Sequence, residues 1–200
     1  MKYVLTHYSG DWTWIYEETD DFFIYNRTEE EIPNSVSREN FGDADYDRLS
    51  YIIDNYHELP DVFLLSKSNL FKYCPKEEFD QLKNNQAFTP LLTQNHKTYA
   101  DERGVVCFYQ DGMYHERNDS WYLQSVPAFK FNSWADWAKE FFLPNPAYIP
   151  FAPGGNYILT RETVHKWPKE YYERMRSFLP YSSRPGEAML VERSLFLLWK

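Results

Sequence analysis

Two acidic pairs with one residue between the carboxylates, Asp43-Ala44-Asp45 and Glu78-Phe79-Asp80, are the groups most able to do chemistry on spacing alone. Hard divalent cations take carboxylate oxygens, so either pair could hold Mg²⁺ or Mn²⁺. Each pair also reads as the solvated first turn of a helix, where the backbone dipoles favour negative charge. Other familiar arrangements are missing. There is no G-x-x-x-x-G-K-[ST] loop to cradle phosphate, no G-x-G-x-x-G and no G-x-S-x-G. The five His residues never reach H-E-x-x-H spacing, and two isolated thiols, Cys74 and Cys107, cannot build a structural zinc site. These absences exclude most nucleotide hydrolases, dehydrogenases, serine hydrolases and zinc peptidases.

Any such group must be positioned by the elements around it. Tyr3 to Tyr8 reads as a strand that stops at Ser9-Gly10-Asp11. Asp21 to Asn26 is a second strand, apolar enough to be buried on both faces, as in a parallel sheet. Arg27 to Asn40 reads as a polar loop broken by Pro33 and Asn34. Tyr46, Leu49, Ile52, Ile53 and Tyr56 recur at three-and-four spacing, which predicts an amphipathic helix capped by Asp43 or Asp45 and ended by Leu59-Pro60. Asp61 to Ser66 is a third buried strand, and this alternation points to an α/β domain.

Further along, the pattern predicts a helix over 76–82, a strand over 105–109 and a hairpin turn at Asp111-Gly112. Ser133 caps a helix running to Phe142, with Trp134, Trp137, Ala138 and Phe141 on one face. Pro153-Gly154-Gly155 precedes a strand over 156–159, and Thr160 opens a helical stretch. Two more helices, over 170–179 and 187–199, flank a turn at Ser182 to Gly186. With no repeat, low-complexity tract or linker, residues 1–200 read as a single domain, or as one domain of a longer enzyme.

Lys plus Arg number 21 against 30 Asp plus Glu, a formal charge of −9. That balance argues against duplex nucleic acid and anionic lipid as partners. No run approaches the roughly 20 apolar residues of a membrane span. The N-terminus turns polar too early for a signal peptide, and two free thiols fit a reducing compartment, so a cytoplasmic location is expected. Aromatic residues make up 20% of the chain; most must be core, but rings also stack on sugars and bases.

Separated blocks carry a resemblance. "YVLTHYSGDWTWI", "FFIYNRT", "IPNSVSREN" and "YIIDNYHELPDVFLL", then "GGNYILTRETVHKWPKEYYERM" and "PGEAMLVERSLFLLW", stand in order along the chain. They resemble an uncharacterised group of glycosyltransferase-like proteins of surface-polysaccharide gene clusters and some large viruses. The resemblance spans roughly residues 1–72 and 150–199, and implies a GT-A-like nucleotide-binding α/β sheet flanked by helices. It also implies a nucleotide-sugar donor and a glycan acceptor.

In an open α/β sheet the ligand sits at the carboxyl ends of the strands, at the switch point. The first strand ends at Thr6-His7-Tyr8 and the second at Tyr25-Asn26-Arg27, so both would face one crevice. Tyr8 or His7 could stack on the base, Asn26 could bond its edge, and Arg27 and Arg38 could neutralise the diphosphate. The plainer readings are a turn cap for Asn26 and surface ion pairs for the arginines. Metal-dependent members of this fold carry Asp-x-Asp at the end of the third strand; here that position reads Ser66-Lys67-Ser68-Asn69. Lys67 could replace the cation as a fixed charge, leaving dependence on Mn²⁺ or Mg²⁺ open.

Transfer with inversion needs a base for the acceptor hydroxyl proton. Glu187, after Pro185-Gly186 at a helix start, is the first candidate, and Glu192, in the Glu192-Arg193 pair of the resemblance, is the second. Their plainer roles are a dipole-favoured helix start and an ion pair that locks the last helix. Asp111 and His115-Glu116 could line the acceptor side, with Trp121, Tyr122 or Trp134 as sugar platforms. The expectation is a glycosyltransferase. The alternatives are a non-catalytic carbohydrate-binding domain on the same fold and a nucleotidyltransferase, which would need two carboxylates with Mg²⁺.

Overall fold

Strands that are apolar on both faces require cover on both faces, and the chain supplies it with helices and loops. A computed structural model describes residues 1–94, 97–120, 128 and 130–200. In chain order its first half holds β1 (Lys2–His7), α1 (Ile15–Glu18), β2 (Phe22–Asn26), β3 (Ser35–Ser37), α2 (Asp43–Asp54), β4 (Val62–Lys67), α3 (Lys76–Leu82) and β5 (Thr89–Pro90). The second half holds β6 (Tyr99–Asp101), β7 (Gly104–Gln110), β8 (Met113–Arg117), α4 (Trp134–Glu140), β9 (Tyr148–Phe151), β10 (Tyr157–Thr160), α5 (Arg161–Val164), α6 (Lys169–Arg176) and α7 (Gly186–Trp199).

Six strands form a mixed sheet in the order β3-β2-β1-β4-β10-β5. β1 to β4 are parallel, with Leu5 opposite Ile24 on one side and Ser66 on the other. β10 runs antiparallel to β4 and to β5. Alternate residues divide between two cores. Val4, Phe63, Leu65 and Tyr157 pack with Leu49 and Ile52 of α2, Trp137 of α4 and Leu195 of α7. Tyr3, Leu5, Ile24 and Leu64 pack on the other face with Trp14 and Phe79. Burial on both sides explains why these strands lack a polar alternation.

A second, four-stranded antiparallel sheet has the order β6-β7-β8-β9. Asp111 and Gly112, with φ of 52° and 78°, make the expected β7–β8 turn. Ser133 caps α4 through the Asp136 N–H at 3.0 Å, and Thr160 caps α5 through the Thr163 N–H at 3.1 Å, also as expected. Pro153-Gly154-Gly155 carries the chain from β9 to β10, and so from one sheet to the other.

Several expectations need correction. β3 lies inside the segment read as loop; three residues, two of them serines, at a sheet edge give no apolar signal. β9 escaped because Pro150 interrupts it, which an edge strand tolerates since the missing N–H is not needed there. α2 begins at Asp43 after an N-cap Gly42 at φ 74° that makes no side-chain cap, so neither Asp43 nor Asp45 caps it. Its last residue is Asp54, well before Leu59. Trp134 is only 1% exposed and gives its indole N–H to the Pro144 carbonyl at 3.2 Å, a core role and no sugar platform. Trp121 and Tyr122 lie outside the described residues. Among the described residues no helix is long and apolar enough to cross a membrane.

Candidate functional site

The chain leaves β1 for β2 and β3 on one side, then returns through α2 to β4 on the other. Between β1 and β4 the order reverses, and there the carboxyl ends leave a crevice. A cleft of about 530 Å³ opens there, lined by Thr6 and Tyr8 from the end of β1, Lys67 and Ser68 from the end of β4, and Asp43 from the start of α2. Arg27, Lys72, Tyr73 and Arg184 complete its walls. A second lobe of about 290 Å³ shares Asp43, Lys67, Tyr73 and Arg184 with the first and continues to Tyr114, Phe151 and Glu192. The two lobes therefore form one cleft between the sheets.

Backbone bonds fix its rim. Gly42 and Asp43 give their N–H groups to the Ser182 and Ser183 carbonyls at 2.8 and 3.1 Å, which brings Arg184 to the start of α2. Asn156, fully buried, accepts from the Lys67 N–H at 2.9 Å and the Ser66 hydroxyl at 3.0 Å, fixing the end of β4. Asp43 has φ 52°, and its carboxylate accepts from the Ala44 N–H at 2.5 Å and lies 3.6 Å from the Lys67 ammonium. Burial works to raise the Asp43 pKa, but Lys67 and the Ala44 N–H outweigh it and hold the carboxyl below its ordinary value. Burial likewise works to lower the Lys67 pKa, and Asp43 with Glu192 overcomes it, so the ammonium titrates above its usual range.

The expected donor residues divide. Thr6, Tyr8, Arg27, Lys67 and Ser68 line the cleft, and Tyr8 is 61% exposed there. His7 does not reach it: the ring is 3% exposed and its Nδ1 lies 3.0 Å from the Ser68 hydroxyl. Ser66 is turned to Asn156 instead. Arg27 is committed, with Nε donating to Asp47 at 2.8 Å and Nη2 to the Asp43 carbonyl at 2.5 Å. Asn26 follows its plainer reading, accepting from the Thr28 N–H at 2.9 Å and donating to the Glu30 carbonyl at 2.6 Å. Arg38 stands outside the cleft, over the Tyr25 ring at 5.1 Å and 3.9 Å from Asp54.

Of the two base candidates, Glu192 reaches the cleft and Glu187 does not. Glu187 is fully buried, accepting from the Lys130 N–H at 2.7 Å and from the Tyr181 hydroxyl at 2.5 Å. Glu192 lines the second lobe, held by the Gly154 N–H at 2.7 Å and 3.6 Å from Arg193. Asp111 sits exposed at the hairpin tip, and His115 stacks on Phe108 at 5.0 Å on the far face of β8. The neighbours of His115 in the strand, Tyr114 and Glu116, face the lobe, because successive strand residues alternate faces. Arg184, Lys72 and Tyr73 gave no periodic signal; the only cue was an Arg in the Ser-Ser-Arg-Pro-Gly turn.

Of the four carboxylates in the two acidic pairs, Asp43, Asp45 and Asp80 each face a cation. Among the described residues no three His, Cys, Asp or Glu side chains gather as a ligand set. Asp45 turns into the core to pair with Arg48 at 2.5 Å, and burial, with Glu192 and Asp43 nearby, raises its pKa to about 6. Asp80 is tied to Lys76 and Lys83 at 2.6 and 2.7 Å on the surface of α3.

No curated protein and no solved structure matches the chain. One family does: its model, described as a protein of unknown function (DUF3431), matches residues 4–199, so the chain belongs to the DUF3431 family.

Proposed function

We propose that the protein is a GT-A-like glycosyltransferase that moves a sugar from a nucleotide-sugar donor to a glycan acceptor. The observation that carries this reading is the two-lobed cleft at the switch point, cationic at the β1–β4 end and holding an accessible carboxylate, Glu192, in the lobe beyond. Nucleotides bind at such crevices in open α/β sheets. Tyr8 offers a ring for the base, and Lys67 and Arg184 meet the diphosphate. Tyr114 presents a ring to the acceptor sugar, with Phe151 packed edge-on behind it.

In the step proposed, Glu192 takes the proton of an acceptor hydroxyl. The freed oxygen forms a bond to the anomeric carbon of the donor as the bond from that carbon to the phosphate oxygen breaks. The nucleoside diphosphate leaves with the electron pair, its new charge facing the cations. The Gly154 N–H holds one Glu192 oxygen, which orients the other.

The test combines thermal shift with turnover on UDP-, GDP- and dTDP-sugars. A donor at 100 times its Kd stabilises the fold by about 2.7 kcal/mol. Glu192→Gln keeps an oxygen for Gly154 and loses the base, so turnover falls about 10²- to 10⁴-fold while the donor shift remains. Glycan binding without a shift from any donor would support the non-catalytic alternative and sink the transferase reading.

A further inference from the structure

We infer that the donor diphosphate is neutralised by side-chain cations alone, with Lys67 and Arg184 at its centre and no bridging divalent metal. This rests on the donor reading above and goes beyond it, since a nucleotide-sugar cleft of this fold could work either way.

A diphosphate brings at least two negative charges into the crevice, and the groups that meet them must be in place before it arrives. Among the described residues Lys67, Lys72 and Arg184 line the β1–β4 lobe with side chains turned to it, Lys67 steadied at 3.6 Å by Asp43. Arg27 is already engaged by Asp47 and the Asp43 carbonyl. Among the described residues neither Lys72 nor Arg184 has a carboxylate partner. Lys67 is anchored through its own N–H to buried Asn156, so its side chain leaves β4 from a fixed point. Its ammonium and that of Lys72 both lie 5.9 Å from the Tyr73 ring. Arg184 is fixed by the paired bonds that strap residues 182–183 to the start of α2.

A metal would find the opposite. Among the described residues this lobe has one carboxylate, Asp43, whose Oδ1 both accepts from the Ala44 N–H and lies 3.6 Å from the Lys67 ammonium. A divalent cation bound to it would sit against the Lys67 ammonium, with Arg184 and Lys72 as further like charges in the same lobe. The arrangement is the converse of an oxygen-ligand cage: the fixed charges are positive, and the carboxylate serves to hold the lysine.

The test is titration calorimetry of UDP, GDP, dTDP and inorganic pyrophosphate into the full chain, first in EDTA and then with Mg²⁺ or Mn²⁺ at millimolar concentration. The expected result is binding of one nucleoside diphosphate in EDTA, with an affinity that metal leaves unchanged. Losing a charged hydrogen bond weakens binding about tenfold or more, so Lys67→Gln and Arg184→Gln each lose that much. Arg184 lies in an exposed loop, so its variant folds even if a change at the end of β4 disturbs the sheet. Binding that requires metal overturns the inference and leaves the donor reading standing. Binding in EDTA that neither variant weakens overturns it too, because the anion then sits elsewhere. No binding under any condition overturns the donor reading and the inference together.

Discussion

Five residues turn an α-helix by about 140°, so Glu187 and Glu192 cannot face the same space. One ends in the core under Lys130 and Tyr181, the other in the cleft beside Gly154. That separation was available from spacing, whereas which of the two faced the cleft depended on the packing of α7. Asn26 shows a different difficulty: a short amide that caps a turn and one that reads a base carry the same local signal. Of the His115-Glu116 pair only Glu116 lines the cleft, because adjacent strand residues point to opposite faces. His7 yields a test at this scale. Burial lowers its pKa from 6.5 against the pull of Glu30, whose carboxylate is 3.8 Å from Nε2. The unfolded chain then takes up a proton near pH 6.5 that the folded chain takes up only at lower pH. Stability is therefore complete above that pH and declines below it, with a slope of at most about 1.4 kcal/mol per pH unit. Urea unfolding between neutral and mildly acidic pH should show a shallower decline in His7→Gln than in the parent.

The elements that could be read were those whose own residues bury them. β1, β2, β4, α2, α4 and α7 carry long apolar runs or stripes, and each is present. β3 and β9 depend on a neighbouring strand for their identity and left little trace in their own composition. The Pro153-Gly154-Gly155 link was visible as a breaker, but its tightness was not. Gly154 has φ 88°, and a Cβ there would stand 2.7 Å from Cγ of Tyr73. Its N–H holds Glu192 and its carbonyl accepts from Arg48. A left-handed conformation costs a non-glycine residue about 1–2 kcal/mol before any clash. Gly154→Ala should therefore lower the thermal midpoint and, by displacing Tyr73 and Glu192, reduce turnover more than its stability loss explains. A drop in stability with full turnover would show that the link does not set the cleft.

For the molecule as a whole, the two sheets are joined by α7 through a buried ion pair. Arg193, 2% exposed, donates from Nε and Nη2 to one oxygen of Glu116 at 2.8 and 2.5 Å, and Ser120 donates to the other at 2.6 Å. The partners are 77 residues apart in the chain, a pairing no local pattern reveals. The neighbouring Glu192 looked the natural partner and is the weaker one, at 3.6 Å. Glu116→Leu takes the two-bond partner from the buried guanidinium and leaves it the longer Glu192 pair, so it should cost up to about 3–5 kcal/mol in urea unfolding, while Glu116→Leu with Arg193→Met recovers most of that loss. A double variant as unstable as the sum of the single ones would mean the pair contributes nothing of its own. The outer strands of the larger sheet bear on a different property. Its margins are β3, three residues with serines at both ends, and β5, two residues of which one is Pro90. Neither offers a long apolar ladder of free N–H and C=O groups to a strand from another molecule. A sheet this apolar thus resists growing edge to edge into aggregates because its borders are too short and too polar to template one.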